Sequence, residues 1–456
     1  MIFNKVPALF ALVGVAAAAG VKYTGVNEAS MEFGVGTFGP DTPSTFPGVY
    51  DKQFTAPNTN TIPYWRDLGA NIFRLSFSWE RAQPTLSSAL DENYVKYLDQ
   101  FVSAATSTAN GSQYVLLDLH NYARWNGKVV GSDIPSSALS DFWTRMANRY
   151  KSNPRVYIDI MNEPHDMPVN QKYLSFAMQW FSAAQDALNA IRNTGFSNLI
   201  LVPGISYTGA HSWVSSGNAA AALSITDPLN NFAFDMHHMV THQILCLRLA
   251  SHTDVNSARS SSCTHGTEAF TAATSWLRSN NRKAFLGEWA ATTDASCQAS
   301  IDSAAAYLDA NSDVWIGWTW WAAGPWWGDY MYSIEPSSVT SGDAAQTKIL
   351  KKYFAGNSVN PGPKPQTTST TTTTTRTTTT TTTTRPTTSA TCAPSTVTVN
   401  GPGSTVTVPG QVVTVTVTPG QPTTQRTTTT TTTTRPQTTT TTSTGSGPCA
   451  SMYGQW

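Results

Sequence analysis

The sequence predicts an α/β fold: a (β/α)8 (TIM) barrel over residues 20–355, followed by a disordered Thr-rich linker. Three observations support this prediction. Short apolar segments alternate with helical stretches over the first three quarters of the 456-residue chain. Polar residues suited to chemistry follow several of those segments directly. Nearly all of the 15 Trp, 16 Tyr and 18 Phe precede the Thr runs that begin near residue 367, and those runs contain almost nothing that packs in a core.

The candidate strands are short apolar segments of four to seven residues. In order, they cover residues 22–27, 71–77, 114–119, 156–160, 199–202, 232–236, 284–287 and 314–318. Helical periodicity lies between several of them, most clearly over residues 173–191 and 270–280. Eight strand-then-helix units in about 335 residues fit a (β/α)8 barrel with loop insertions. A doubly wound sheet is the alternative, and the position of the polar residues favours the barrel.

Polar and aromatic residues recur at the predicted carboxyl ends of the strands, which is where a (β/α)8 barrel builds its active site. A chance distribution would scatter His, Glu and Trp over helix faces and loops instead. The predicted strand ends carry Arg74, His120, Asn162, Glu163, His237, Glu288, Trp320 and Trp321. The recurrence predicts a single site at the mouth of the barrel.

Glu163 and Glu288 are 125 residues apart, but both are expected to point into that mouth. Two carboxylates are the minimum machinery for glycoside hydrolysis, because one donates a proton to the leaving oxygen while the other attacks the anomeric carbon or activates water. A carboxylate directly after a buried strand is also costly without a purpose. His120 and His237 are expected to shape the hydrogen-bond network around the pair, although each also fits the role of a core histidine.

The remaining strand-end residues suit supporting roles. Arg74 is expected to keep a neighbouring carboxylate ionised, and Asn162 to donate a hydrogen bond to a sugar 2-hydroxyl. Trp321 or Trp320 offers a flat apolar face on which a sugar ring can stack. Taken singly, Arg74 also fits a structural ion pair and the two tryptophans fit ordinary core packing.

Four segments carry a resemblance to a known family. They are Asp118-Leu-His-Asn-Tyr-Ala-Arg-Trp, Ile160-Met-Asn-Glu-Pro-His-Asp, Phe285-Leu-Gly-Glu-Trp and Thr319-Trp-Trp-Ala-Ala-Gly-Pro-Trp-Trp-Gly-Asp-Tyr. In this order, over residues 22–354, they resemble the fungal endo-β-1,4-glucanases of glycoside hydrolase family 5. The resemblance implies a retaining mechanism with Glu163 as acid/base and Glu288 as nucleophile, no metal and no cofactor, and a β-1,4-glucan such as cellulose as the partner.

The same resemblance places five further residues on active-site positions of the family: Arg74, His120, Asn162, His237 and Trp321. Cys263 and Cys297 match two cysteines that the family bridges, so a disulfide is expected between them. A β-1,4-mannanase is the alternative within this class, because the two-glutamate site does not encode the identity of the sugar.

One segment departs from the family pattern. Met239 stands where the family has a Tyr that hydrogen-bonds the nucleophile, and loss of one such donor can cost orders of magnitude in rate. Residues 239–262 are more apolar and longer than the expected loop, and Cys246 has no counterpart. The segment is interpreted as a genuine insertion, a divergent loop in a weakened enzyme, or a translated artefact such as a retained intron, which is slightly favoured. A catalytically impaired carbohydrate-binding homologue is therefore a further alternative.

The same region is rich in histidine and cysteine, but it does not predict a metal site. The residues concerned are His237, His238, His242, Cys246, His252, Cys263 and His265. Their spacings match no compact zinc-ligand pattern.

The ends of the chain predict secretion. Residues 1–19 combine one basic residue, a short apolar run and small residues, as a signal peptide does. A membrane anchor is the alternative, but about 14 apolar residues are too few to span a bilayer. Residues 356–446 are expected to form a Thr/Pro-rich linker, and residues 447–456 resemble the truncated start of a fungal-type cellulose-binding module. In a secreted chain, Asn110 of Asn110-Gly-Ser is a candidate glycosylation site.

The charge balance excludes other partners. The 28 Lys and Arg equal the 28 Asp and Glu, so there is no electrostatic footprint for nucleic acid or for a membrane surface. We expect a monomer.

Overall fold

The computed structural model describes residues 20–34, 47–167, 176–239, 263 and 267–357, together with the strand segments 405–408 and 411–414. The chain divides into two compact units, of which one contains the barrel and the other lies within Gln366–Gly445. The predicted signal peptide and the predicted start of a binding module lie outside the described residues, as does nearly all of segment 239–262.

Eight parallel strands form a closed barrel, in which each strand pairs with its neighbours in the chain and the last pairs with the first. This arrangement confirms the predicted barrel and excludes the doubly wound sheet. The strands are β1 (Tyr23–Glu28), β2 (Ile72–Phe77), β3 (Tyr114–Leu119), β4 (Val156–Asp159), β5 (Ile200–Pro203), β6 (Phe232–Met239), β7 (Ala284–Ala290) and β8 (Trp315–Ala323).

One principal helix follows each strand among the described residues. These helices are α1 (Ile62–Asp67), α2 (Glu92–Thr106), α3 (Ser136–Tyr150), α4 (Phe176–Asn193), α5 (Asn218–Ala221), α6 (Glu268–Ser279), α7 (Ala295–Ala310) and α8 (Ala345–Leu350). A further turn of helix, Trp79–Ala82, precedes α2. The two predicted helices correspond to α4 and α6. In the part of the chain that the structure describes, no helix combines the length and the apolar character needed to cross a membrane.

Helix α2 shows why these segments are helical. Asp91 caps its start by accepting a hydrogen bond from the Asn93 amide at 2.9 Å, which satisfies one of the donors that the first turn leaves free. Its apolar residues recur at helical spacing, so that one face packs against the barrel. That buried face consists of Tyr94, Val95, Leu98, Phe101, Val102 and Ala105.

The barrel interior is apolar at one end and polar at the other. Its apolar layer is a separate cluster within the barrel, formed by Tyr23, Ile72, Leu116, Tyr157, Leu199, Leu201, Ala233 and Phe285. Side chains two residues apart on a strand face the same side, so Leu116, Asp118 and His120 follow one another along the inner face of β3 and beyond its end. The polar layer therefore lies directly above the apolar one.

The strand boundaries differ from the predicted ones in a way that matters for the site. Arg74 was expected at a strand end, although the predicted strand 71–77 contains it; it is the third residue of β2, so the strand-end expectation is wrong. His237, Glu288 and Trp321 also lie inside their strands. The backbone of a closed barrel is hydrogen-bonded by the neighbouring strands whatever the side chain is, so a change to polar residues does not mark where pairing ends.

The second unit contains a short antiparallel hairpin formed by Thr405–Val408 and Gln411–Thr414. The structure differs here from the sequence analysis, which interpreted this region as an extended linker. Alternating Thr and Val favour a pleated strand, and a Pro-Gly dipeptide, which is typical of turns, stands between the two segments in the sequence.

Candidate active site

The structure brings the predicted site residues together at the carboxyl end of the barrel. They come from five strands or the residues directly after them: β2, β3, β4, β6 and β7, with Trp321 from β8 beside them. All are buried, namely Arg74, His120, Asn162, Glu163, His237, Glu288 and Trp321. Because most of its polar groups are out of water, the members of this cluster supply most of one another's hydrogen-bond partners.

The two glutamates face one another across His237. The Nδ1 of His237 lies 2.9 Å from Oε1 of Glu163 and 3.6 Å from Oε2 of Glu288. One carboxylate oxygen of Glu163 and one of Glu288 are within 4.8 Å of each other. Glu163 has a backbone φ of 40°, in the left-handed region that non-glycine residues seldom adopt. Such backbone strain tends to persist at functional sites.

Arg74 is the cation at the centre of the polar layer. Its Nη1 donates to Oε1 of Glu288 at 2.7 Å and to Oδ1 of Asn27 at 2.9 Å. Its Nε donates to Asp159 at 2.9 Å, and its Nη2 donates to Oδ1 of Asn162 at 3.0 Å. A guanidinium presents five N–H groups in a rigid fork, and here that fork fixes the orientation of both Glu288 and Asn162.

Burial and charge act against one another at Glu288 and His237. Burial raises the pKa of Glu288, while His237 and Arg74 oppose this effect, and the net result is a pKa above the ordinary value. Burial alone would lower the pKa of His237, but the carboxylates of Glu288 and Asp235 outweigh it and hold that pKa well above its ordinary value. These carboxylates therefore favour the protonated form of His237, which lies between the two glutamates.

His120 and Trp321 form the opposite wall. Their rings stack with centroids 5.3 Å apart, and Nε1 of Trp321 donates to the Tyr330 hydroxyl at 3.2 Å. Trp320 instead packs against Trp289 in the core, with centroids 5.1 Å apart. Of the two tryptophans, Trp321 thus lies beside a site residue and Trp320 packs in the core, and the stacking of a sugar on Trp321 stays a prediction.

Three buried aspartates under the site were missed as site residues by the sequence interpretation. Asp118 accepts from Ser76 and contacts His120 and Arg74, Asp159 accepts from Arg74, and Asp235 contacts His237. Burial, followed by the charge of Asp235, raises the pKa of Asp159 well above its ordinary value. The signal was present in the sequence: an Asp interrupts or ends a run of apolar residues in each of β3, β4 and β6.

A second missed feature lies beside Glu163. Tyr207 is 38% exposed and stacks on His165 with centroids 4.4 Å apart. Its amide donates to the carbonyl of Pro164 at 3.2 Å, which joins it to the backbone next to Glu163. Ser206, Tyr207 and Thr208 all have positive φ, at 57°, 57° and 48°. No sequence pattern marked this exposed aromatic surface.

Met239 is the last residue of β6 and packs partly buried against the core. Among the described residues, Glu288 is contacted by Arg74 and His237, and no tyrosine hydroxyl bonds to it. The expected consequence of Met239, one donor fewer at Glu288, stays a prediction.

Two sets of three residues are close enough to share one ion: Asp118, His120 and Glu288, and Glu163, His237 and Glu288. Both sets include Glu288, whose carboxylate already accepts from Arg74 at 2.7 Å. A fixed cation at that distance repels a divalent ion, so these residues are better suited to bind one another than a metal. The prediction of a metal-free site stays a prediction.

The disulfide predicted between Cys263 and Cys297 is present and joins the residues before α6 to helix α7. Asn110 lies at the end of a short 3-10 segment, and its Nδ2 donates to the Ala104 carbonyl at 3.0 Å. Glycosylation there stays a prediction. Cys246 and the two cysteines of the tail lie outside the described residues.

Comparison with known proteins identifies close relatives. The model of the family described as cellulase (glycosyl hydrolase family 5) matches residues 27–324. Endoglucanase gh5-1 of Neurospora crassa is 39% identical over 334 residues, covering 73% of this chain and 77% of that protein. Endo-beta-1,4-glucanase A of Emericella nidulans is 37% identical, covering 74% and 93%. The solved structure of XacCel5A in complex with cellopentaose matches with a TM-score of 0.63 and 39% identity, covering 73% of this chain and 99% of that one.

Proposed function

The chain belongs to the cellulase family, glycosyl hydrolase family 5, and we propose that it is a secreted endo-β-1,4-glucanase that hydrolyses internal bonds of cellulose with retention of anomeric configuration. Membership of this family shows that the chain is a glycoside hydrolase. The bond type, the stereochemistry, the residue roles and the location are the proposal.

The observation that carries the proposal is the separation of the two glutamates. Carboxyl groups about 5–5.5 Å apart suit a retaining enzyme, whereas an inverting enzyme needs about 6.5–9.5 Å to admit a water molecule. Glu163 and Glu288 have oxygens within 4.8 Å of one another. This spacing is shorter than the gap of an inverting enzyme and supports direct attack on the sugar by a carboxylate.

The surroundings of each glutamate support its role. Arg74 donates to Glu288 at 2.7 Å and thereby favours the ionised form that a nucleophile needs. Glu163 is the acid/base: it donates its proton to the leaving oxygen as Glu288 forms a covalent glycosyl ester, and then removes a proton from the water that hydrolyses this ester. Asn162, oriented by Arg74, donates to the 2-hydroxyl of the sugar bound to Glu288.

Substrate class follows from the relatives and from the aromatic surfaces. The relatives named above are endoglucanases, and one solved neighbour holds cellopentaose. Trp321 stacks on His120, which contacts Asn162, and there it can support the sugar that Glu288 attacks. Tyr207 and His165 lie beside Glu163 and can support the leaving sugar. Supports on both sides of the cleaved bond suit an enzyme that acts within a chain.

Secretion is supported by the sequence of residues 1–19 and by the disulfide between Cys263 and Cys297. Disulfides form and persist in oxidising compartments outside the cytosol. A polymeric, insoluble substrate also requires an enzyme outside the cell.

The test is hydrolysis by the full chain and by Glu163→Gln and Glu288→Gln, with Glu92→Gln, an exposed glutamate on α2, as the matched control. We expect carboxymethyl-cellulose to be cleaved faster than galactomannan, with a β-configured first product measured by proton NMR. Glu288→Gln should abolish hydrolysis, and Glu163→Gln should lose about 10²–10⁴-fold on substrates with poor leaving groups.

Each alternative has its own outcome. A faster rate on galactomannan would identify a mannanase, and an α-configured first product would exclude retention. Cellulose binding without hydrolysis would identify an impaired homologue in which Met239 has removed too much support from Glu288. Unchanged hydrolysis in Glu288→Gln would exclude the assigned nucleophile.

A further inference from the structure

Two histidines of the site each follow a buried aspartate by two residues. Asp118 precedes His120 at the end of β3, and Asp235 precedes His237 on β6. Positions two apart on a strand face the same side, so all four side chains point into the barrel. Nδ1 of His120 lies 2.7 Å from Oδ2 of Asp118, whereas Nε2 of His237 lies 2.9 Å from Oδ2 of Asp235. The two aspartates therefore contact opposite ring nitrogens.

The second nitrogen of His120 faces a donor. Nε2 of His120 lies 3.0 Å from Nδ2 of Asn162. The orientation of this amide is fixed from its other side, because Nη2 of Arg74 donates to Oδ1 of Asn162 at 3.0 Å and a guanidinium can only donate. Nε2 must then accept. The hydrogen bonds define a neutral His120 with its proton on Nδ1, even though Asp118, against the effect of burial, raises the pKa of this imidazole.

The second nitrogen of His237 faces an acceptor. Nδ1 donates to Oε1 of Glu163 at 2.9 Å and lies 3.6 Å from Glu288, while Nε2 contacts Asp235. Nε2 meets Asp235 at ion-pair distance without a hydrogen bond. With carboxylates near both ring nitrogens, the surrounding charge favours a proton on each of them, which makes the ring an imidazolium.

We propose that Asp118 and Asp235 are positioning residues that hold the two histidines in different states, His120 as the neutral Nδ1–H tautomer and His237 as an imidazolium. The consequences for the reaction rest on the proposed function. Because His237 donates to Oε1 of Glu163, the proton that Glu163 transfers to the leaving oxygen must reside on Oε2.

His120 has a separate consequence. By accepting one N–H of Asn162, it holds the amide so that the other N–H can face the sugar 2-hydroxyl. The pair Asp235 and His237 thus orients the acid/base Glu163, and the pair Asp118 and His120 orients Asn162, which binds the sugar.

The charged groups around each histidine decide what a substitution does. His237 is faced by Asp235 on its own strand, by Glu163 after β4 and by Glu288 on β7, with Arg74 of β2 3.9 Å from Asp235. Replacing Asp235 by Asn removes one of these negative charges, so His237 should lose its second proton at lower pH. A neutral ring that keeps its proton on Nε2 would present a bare Nδ1 to Glu163 and would compete for the proton that Glu163 must donate.

His120 is faced by Asp118, by Glu288 and by Glu32 from the connection after β1. Replacing Asp118 by Asn allows the other tautomer, in which an Nε2–H would oppose the N–H of Asn162. In a Ser-His-Asp triad, loss of the correct tautomer through Asp→Asn lowers kcat by about 10⁴-fold. Here the tautomer acts through a sugar contact and not on the reacting proton, so a loss of about 10²-fold is expected.

The direct experiment is nitrogen NMR of the full chain with labelled histidine, with signals assigned by His120→Gln and His237→Gln. Near neutral pH we expect one protonated nitrogen on His120 and two on His237. Equal protonation of the two rings, or a neutral His237, would overturn the proposal. This measurement needs no activity and no buried-aspartate variant, so it stands even if the proposed glucanase function fails or the variants do not fold.

The kinetic experiment is the pH profile of kcat/KM on an aryl β-cellobioside with a poor leaving group. Asp235→Asn should move the alkaline limb to lower pH by about 1–3 units, and Asp118→Asn should lower kcat/KM about 10²-fold without moving that limb. Asp302→Asn on α7, which pairs with Lys352 at the surface, is the matched control. A purely structural role would lower both profiles without shifting either, and a folded Asp235→Asn with an unmoved limb would contradict the proposal.

Discussion

Replacement of Arg74 by Met should destabilise the barrel strongly, and more so at neutral pH than at acid pH. The side chain is fully buried. Within the described structure it is the only Arg or Lys that contacts the carboxylates of Asp118, Asp159 and Glu288. Met retains much of the volume, so the change removes charge and hydrogen bonds with little loss of packing. The groups that lose a partner are Asn27, Asp118, Asp159, Asn162 and Glu288.

The magnitude follows from the charges left behind. Removal of one partner from a buried ion pair costs about 3–5 kcal/mol, because the remaining charge is neither solvated nor neutralised. A folded domain has a free energy of unfolding of about 5–15 kcal/mol. The Arg74→Met variant should therefore lose at least about a fifth of the stability of the barrel.

The pH dependence follows from the same contacts. Burial raises the pKa of Asp118, but Arg74 and His120 outweigh burial and hold this pKa below its ordinary value. Without Arg74, the folded-state pKa of Asp118 rises above that of the unfolded chain, and the pKa of Glu288, which is already raised, rises further. A carboxyl with a raised folded-state pKa is fully stabilising only below its unfolded pKa, and that stability is lost as the pH rises. The penalty of the substitution is therefore largest at neutral pH and shrinks on acidification.

The assay is urea unfolding followed by tryptophan fluorescence, at about pH 5 and about pH 7.5. Arg74→Lys is the matched control, since it keeps the charge but offers three donors in place of five. It should show a smaller loss of stability with little pH dependence, together with a large loss of activity. A loss below about 1 kcal/mol in Arg74→Met at neutral pH, or equal losses at both pH values, would refute the reasoning.

Three further predictions concern packing, titration and the disulfide. A Cβ on Gly287 would lie 2.2 Å from Oδ1 of Asp235, so Gly287→Ala should cost about 1–3 kcal/mol in urea unfolding; an equally stable variant would show that the strand has room. Burial raises the pKa of Glu32 from 4.5 to about 7, so stability that Glu32 provides at acid pH is lost as the pH rises through 7. Glu32→Gln should therefore be more stable than the original chain at about pH 8, by up to about 3 kcal/mol, and equally stable at about pH 4. If thermal melting of the two proteins is the same at both pH values, this titration is excluded. Removing the disulfide by Cys263→Ser with Cys297→Ser should lower the free energy of unfolding by about 3–4 kcal/mol, given its 34-residue separation. Coinciding unfolding curves of the oxidised and the substituted protein would contradict this prediction.

The strands and most site residues were predictable because their signals are local. An apolar run of four to seven residues reports a buried strand wherever it occurs in the chain. His120, Asn162 and Glu163 directly follow such runs, and they do lie at the mouth of the barrel. The disulfide came from the family resemblance, since cysteine spacing alone left the pairing open.

Other features could not be predicted, because they depend on which strands become neighbours. Arg74 lay inside the predicted strand 71–77, but the carboxylates that it contacts could not be predicted, because they depend on how β2 and its neighbours pair. No sequence pattern predicted that Tyr207 is an exposed residue of the site, because its exposure depends on the conformation of a loop beside β6.

The sequence by itself determined a barrel of eight strand-and-helix units with two glutamates at its mouth, because alternation of apolar segments and residues after strand ends can be recognised one segment at a time. Only the tertiary structure decided that three aspartates from β3, β4 and β6 surround one arginine, and that one histidine faces a donor while the other faces two carboxylates. The physical reason is that protonation depends on burial and on charges within a few ångströms. Closing the barrel sets both by bringing together strands that are distant in sequence.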